Sequence, residues 1–199
     1  MKGKTKQLIL DTALDLFSIN GYEATSMSDI ANSIGIKKAS LYAHFKSKET
    51  ILNSLVTYMI NKYEQNSIFN NLDLNSIDLI KSPNDLINQV KKQVSFIIKN
   101  PYVSKVRKLL TIEQYRNSKL AKLQTQYSFT NVLDFGEKII NKLISNKVIK
   151  KGDVASLASE FVFPISMWIS LCDRDPKKEK EAIRQIENHV MQFYKTNKV

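Results

Sequence analysis

The side chains best suited to chemistry lie between residues 26 and 49, in SMSDIANSIGIKKASLYAHFKSKE. Lys37, Lys38, Ser40, Tyr42 and His44 gather ammonium, hydroxyl and imidazole groups into one short stretch. Lysine and hydroxyl donors suit phosphate oxygens. Lysine also matches guanine acceptors, serine several base edges, and an alanine methyl such as that of Ala39 the thymine methyl. This is a chemistry of recognition rather than of bond breaking. The only other histidine is His189, and no Asp, Glu or Cys cluster at ligand spacing accompanies either. There is no glycine-rich phosphate loop and no nucleophile elbow. The sequence therefore predicts no catalytic residues, no metal and no cofactor. The single cysteine, Cys172, lacks a partner for a disulfide or a zinc site and reads as a small buried hydrophobe.

Two short helices must position those donors. Ser26 can cap a helix, and Asp29, three residues on, favours the same end by reaching back toward the cap and through the helix dipole. Gly35 tolerates the positive φ of a tight turn, with Ile34 and Ile36 flanking it as apolar anchors. Ile30, Ala31 and Ile34 then face Leu41 and Phe45, and the small core they share fixes the angle between the helices. Lys37, Lys38, Ser40, Tyr42 and His44 stay outside. This is helix-turn-helix geometry, which lays its second helix in the DNA major groove. Before it, Leu10, Ala13, Leu14 and Phe17 predict a helix from about Thr5 to Ile19, stopped by Asn20 and Gly21. After it, Ser47 caps a helix carrying Leu52, Leu55, Val56, Met59, Ile60 and Tyr63.

The ordered motifs G-Y-x-x-T-S-M-x-D-I-A at 21 to 31, I-G-I at 34 to 36, L-Y-x-H-F at 41 to 45 and S-K-E at 47 to 49 closely resemble the amino-terminal domain of TetR-family transcriptional regulators. The resemblance covers about residues 5 to 55. It implies that Thr25, the Tyr42 hydroxyl, His44 and Lys48 sit against phosphates, with Ser26 beside them. It also implies that Lys37, Lys38, Ala39 and Ser40 meet base edges. Two positions depart from the family pattern. Lys37 stands where a serine or threonine usually caps the recognition helix, at a cost of about 1 kcal/mol, and Ala39 stands where glycine is frequent.

The rest of the chain reads as helical, because Leu, Ile, Lys, Glu and Gln abound and five glycines and four prolines leave few stops. From Ser67 to Asn84 the apolar pattern dissolves into Asn, Asp and Ser, which puts the boundary between halves near residues 66 to 83. A helix over about 83 to 99 follows, ended by the NPY at 100 to 102. Next come a basic, mixed segment to about Lys122 and a long helix from roughly Gln124 to Asn146. Between Asp153 and Cys172, Val154, Leu157, Phe161, Ile165, Trp168 and Cys172 form one stripe, and Ala155, Ser159, Val162, Ser166 and Ile169 a second. A helix apolar on two sides is buried on two sides. Pro164 within it predicts a kink. Asp175 and Pro176 open a last helix with Ala182, Ile183, Ile186, Val190 and Phe193 inward.

A net charge of +11 favours a polyanionic partner, yet it is unevenly spread. Residues 1 to 50 have seven Lys and five acids, whereas residues 85 to 151 have fourteen Lys or Arg and four acids. Most of the excess thus falls outside the helix-turn-helix. The amino terminus passes straight into an amphipathic pattern, so neither a signal peptide nor a membrane span is expected, and the protein is expected in the cytoplasm.

These readings combine into an all-α protein. Residues 1–50 form a helix-turn-helix domain, a helix at 51–66 connects, and residues 67–199 form a helical domain for effector binding and dimerisation. The expected partners are double-stranded operator DNA, a second copy paired through helices 153–172 and 176–194, and a hydrophobic or aromatic small molecule. Candidate effector contacts are Phe96, Tyr102, Tyr115, Tyr127, Phe129, Phe161, Met167 and Trp168, since sites in bundles lie between helices. The expected function is that of a repressor released by its effector. The alternative is a DNA-bound scaffold whose carboxy-terminal half docks a protein through the basic band from Lys91 to Lys122, with no small-molecule switch.

Overall fold

A computed structural model describes residues 2–66, 80 and 82–199, and the side chains of 59–66 are not among the features described. The expected boundary at 66 to 83, and the contribution of Met59, Ile60 and Tyr63 to a stripe, lie largely outside those residues. Among the described residues there is no strand, only an isolated bridge between Ile149 and Lys198. The elements are α1 (Lys2–Asn20), α2 (Met27–Ser33), α3 (Lys38–His44), α4 (Lys48–Asn66), α5 (Pro83–Lys99), α6 (Pro101–Glu113), α7 (Ser118–Thr125), α8 (Asn131–Ser145), α9 (Val154–Arg174) and α10 (Glu179–Asn197).

The described residues fall into two compact units. One comprises Met1–Ser67 and Lys105–Lys122, the other Ile68–Ser104 and Leu123–Val199. Segment 105–122 therefore folds with the amino-terminal helices, whereas a division at a single boundary groups it with the second half. It is also regular rather than mixed. Pro101 does not merely end α5; it begins α6, since a missing N–H costs nothing at the first helical position. The Asn100 side chain caps that start by accepting from the Val103 amide at 3.1 Å. Val106, Leu109, Leu110 and Glu113 then turn inward at helical spacing. Asn117 caps α7 in the same way, accepting from the amides of Lys119 and Leu120.

In the first unit, Ile9, Leu10, Ala13, Leu14 and Phe17 of α1 are buried, as are Ile51, Leu52, Leu55 and Val56 of α4. In the second, α9 packs against α8 and α10, and α10 also against α5. The predicted inward residues Ala182, Ile186, Val190 and Phe193 are buried there, with Phe161 at 4.9 Å from the Phe193 ring. Cys172 is buried, as expected of a small hydrophobe. The long helix expected from Gln124 is the succession of α7, a π-helical turn at Gln126–Thr130, and α8. The wider π-helical turn rotates the residues of α8 away from the positions an uninterrupted α-helix would give them.

α9 runs through Pro164 and is only partly covered by its own chain. Ala158, Phe161, Val162, Ile169 and Cys172 are buried, but Ala155 is exposed and Met167 is 64% exposed. The helix is long and apolar enough to cross a membrane by length and composition alone. It approaches α8 tightly at Gly136, where a Cβ would lie 2.8 Å from Val162 Cγ1 and 3.2 Å from Ala158 Cβ. Alanine is favoured over glycine within a helix by about 1 kcal/mol, but overpacking costs about 1–3 kcal/mol. Gly136→Ala is accordingly expected to lower the urea midpoint of the second unit. A raised midpoint would show that the two helices separate at little cost.

Candidate nucleic-acid interface

The capping expected before α2 is present in full. Ser26 Oγ accepts from the Asp29 amide at 3.1 Å, and Asp29 Oδ2 accepts from the Ser26 amide at 2.8 Å. Hydrogen bonding to the Asp29 carboxyl, from the Ser26 backbone first and its side chain second, holds it below its ordinary pKa. After α2 the chain reverses at Gly35, whose φ of +68° is the left-handed value that glycine adopts freely. Met27, Ile30 and Ala31 of α2 are buried with Leu41 and Phe45, while Ile34 is partly covered.

That packing decides the outer face of α3. Lys37, Lys38, Ala39 and Ser40 line its start: Lys38, Ala39 and Ser40 are exposed along with Lys37, Tyr42 is 43% exposed, and His44 is half-buried. Lys37 occupies the cap position in extended backbone, φ −66° and ψ 143°, without a side-chain cap bond. Its carbonyl still accepts from the amides of Ser40 and Leu41. The first turn therefore forms without a side-chain acceptor, and the Lys37 ammonium remains available.

Two of the expected contact residues are engaged inside the domain. Thr25 is only 1% exposed, and its hydroxyl donates to the Gly21 carbonyl at 2.9 Å. As placed, it closes the turn before α2 and does not face outward. Lys48 Nζ donates to the carbonyls of Tyr22 at 2.7 Å and Glu23 at 3.2 Å, and lies 4.2 Å from the Tyr22 ring centroid. An ammonium has three donors, so one remains for an outside acceptor. Ser26 is exposed but spends its side chain on the cap.

A residue with no place in the sequence reading completes this turn. Glu113, at the end of α6, is 1% exposed, and its Oε1 accepts from the Tyr22 amide at 2.7 Å. Gly21 makes room for it. Its φ is +84°, and a Cβ there would stand 3.1 Å from Glu113 Oε1 and 3.4 Å from Ile112 Cγ2. Burial, and after it the carboxylates of Glu23, Glu49 and Glu113, raise the Tyr22 phenol above its usual pKa. The signal that could have found Glu113 is its register, a carboxylate continuing the apolar spacing of Val106, Leu109 and Leu110.

Segment 105–122 also changes where the charge sits. Residues 1–67 hold eight Lys and six acids, and residues 105–122 hold six Lys or Arg and one acid. The unit containing the helix-turn-helix therefore has a net +7 of the total +11. The surplus belongs to this unit and not, as the linear order suggested, to the other half.

The expected effector contacts differ in burial. Phe161 is buried against Phe193, Trp168 packs partly buried on the same core, and Phe129 stacks on Phe163 at 5.2 Å while remaining exposed. Tyr102 and Tyr127 are half-buried, and Phe96 and Met167 are exposed. Tyr115 is 91% exposed in the turn after α6 and belongs to the amino-terminal unit.

Glu113→Ala is expected to speed hydrogen exchange at the Tyr22 amide and destabilise its unit by about 1–3 kcal/mol, the cost of an unpaired buried donor. Glu113→Gln, which keeps an acceptor, should recover most of the loss. At the α2 cap the folded pKa of Asp29 is depressed. Its stabilising contribution is therefore present above the unfolded pKa of about 3.9 and lost as pH falls through the folded value. The stability deficit of Asp29→Asn should accordingly close in acid, and a deficit unchanged at about pH 3 would contradict the charged cap.

Comparison with known proteins agrees with this geometry. Residues 9–55 match the model of bacterial regulatory proteins of the tetR family. The chain is 42% identical over 73 residues to the biofilm operon icaADBC HTH-type negative transcriptional regulator IcaR of Staphylococcus epidermidis. That match covers 37% of this chain and 40% of the relative. With IcaR of Staphylococcus aureus strain Newman it is 53% identical over 51 residues, 26% of this chain and 27% of the relative. The matched region thus spans less than half the length of either. Whole-chain likeness is one of fold. A TetR-family transcriptional regulator from Cytophaga hutchinsonii superposes with a TM-score of 0.68 at 15% identity, covering 100% of this chain and 96% of that one. SmeT, the repressor of the Stenotrophomonas maltophilia multidrug efflux pump SmeDEF, does so with 0.61 at 16%, covering 96% and 89%. Residues 9–55 are thus similar to the amino-terminal domain of tetR-family bacterial regulatory proteins, and the whole chain shares the fold of such regulators.

Proposed function

We propose that this protein is a cytoplasmic, homodimeric, sequence-specific DNA-binding repressor, released from a near-palindromic operator by a hydrophobic or aromatic small molecule. The observation that carries the DNA-binding part is the split of α3. Leu41 is buried, while Lys37, Lys38, Ala39 and Ser40 are exposed in succession. Lys37, Lys38, Ala39 and Ser40 then read base edges, and Tyr42, His44 and the remaining donor of Lys48 hold phosphates. Repression is supported by what the relatives' names say of them, a negative regulator in IcaR and a repressor in SmeT.

Pairing through 153–172 and 176–194 is supported by the partly open apolar face of α9, where Ala155 and Met167 are exposed and Ser159, Phe163 and Ser166 half-covered. Covering such a face removes apolar area from water at about 25 cal/mol per Å². Twofold pairing would set the two α3 helices about 34–36 Å apart, one turn of DNA. The small molecule acts by binding more tightly to the form that releases DNA.

Tyr42→Ala is expected to weaken binding to every duplex and flatten its salt dependence, each lost phosphate contact removing about 0.9 from the slope. Lys38→Ala and Ser40→Ala should instead change which operators emerge from selection on randomised duplexes. Wild-type behaviour in all three variants would remove α3 from the groove. Light scattering should report a dimer at micromolar concentration; a monomer that binds operator normally would refute the pairing.

A further inference from the structure

Segment 105–122 presents a charge pattern that the helix-turn-helix does not absorb. Its one acid, Glu113, is buried on Tyr22, and Lys105 is paired with Asp15. Arg116, Lys119 and Lys122 are exposed, and among the described residues no carboxylate lies within ion-pair distance of them. Beside them Tyr115 is 91% exposed, giving a hydroxyl and a ring to the same surface. A solvated basic face is the ordinary fate of such residues, but here the turn is fixed in place. The Arg116 and Asn117 amides donate to the Glu113 carbonyl at 3.0 and 2.9 Å, and Asn117 caps α7.

The position of this turn points to its partner. Glu113 joins it to Tyr22, whose carbonyl is held by Lys48 at the start of α4. Lys119 Nζ donates to Asn53 Oδ1 at 2.7 Å, five residues further along the same helix, or about 7.5 Å of rise. α4 in turn follows α3 after only Phe45, Lys46 and Ser47. The basic turn is thus bonded to the Tyr22 turn and to α4, the helix that follows α3.

We infer that Arg116, Lys119 and Lys122, with Tyr115, form a second phosphate-binding surface that engages duplex DNA flanking the site read by α3. This rests on the DNA-binding reading above and deepens it. Double-stranded DNA offers a negative charge per about 1.7 Å of axis, so an extended duplex supplies acceptors beyond the operator core. An acidic protein would meet the same charges, but attachment to α4, three residues beyond α3 in the chain, favours DNA.

The test uses the full chain and an operator selected from a randomised duplex pool, measured by fluorescence anisotropy on the core duplex and on one longer by about a helical turn, roughly 10 bp, at each end. Wild type should bind the longer duplex more tightly, by about tenfold at low salt. It should also show a steeper salt slope, by about 0.9 for each added contact. The variant combining Arg116→Gln, Lys119→Gln and Lys122→Gln should bind the core duplex as wild type does and lose most of the gain on the longer one. None of the three side chains is buried and glutamine keeps a donor toward Asn53, so circular dichroism should confirm an unchanged fold. Equal wild-type binding to both duplexes, or an undiminished gain in the variant, would overturn the second surface and leave α3 reading intact. No binding to any duplex would instead overturn the DNA-binding reading, and this surface with it.

Discussion

A buried carboxylate on a left-handed turn organises the amino-terminal unit. Where α1 ends, the chain must reverse into α2 within six residues, which leaves peptide groups with no helical partner. Glu113 accepts the Tyr22 amide, Thr25 donates to the Gly21 carbonyl, and Lys48 donates to the carbonyls of Tyr22 and Glu23. A missing partner for a buried polar group costs about as much as a core methylene or more, so these bonds are what let so tight a turn exist. Gly21 is required twice over, for its φ of +84° and for the approach of Glu113 and Ile112.

Helices as short as α2 and α3, seven residues each, have no independent stability and depend on their ends and their packing. α2 receives a full capping box. α3 receives no side-chain cap at Lys37 and is held by Leu41 and Phe45 instead. The trade is a physical one, because the residue that cannot cap brings a cation to the exposed face. Stability for α3 is borrowed from the core, and the turn held by Glu113 and Lys48 forms part of that core's rim.

The helix-turn-helix geometry was legible because it is written in local rules. Ser26 and Asp29 at cap spacing, Gly35 between two apolar anchors, and Leu41 and Phe45 four residues apart each determine a conformation through neighbours within one or two turns. The inward residues of the last helix were legible for the same reason. The burial of Thr25 and the two carbonyls that Lys48 engages were not, since a hydroxyl or an ammonium serves a carbonyl as well as a phosphate. The partner is settled only by what lies beside it. Tyr115 was grouped with an interior on its aromatic character, which says nothing of which unit a turn belongs to.

The sequence by itself determined an all-α chain, the capped α2, the glycine turns and the outward donors of α3, because helix periodicity and capping act over a few residues. Only the tertiary structure decided that segment 105–122 packs with residues 1–67, bringing Glu113 to an amide 91 positions away and most of the net charge into the unit that carries α3. The reason is that a contact between distant segments depends on which buried faces fit each other. Linear charge counts and single-helix patterns contain no term for that fit.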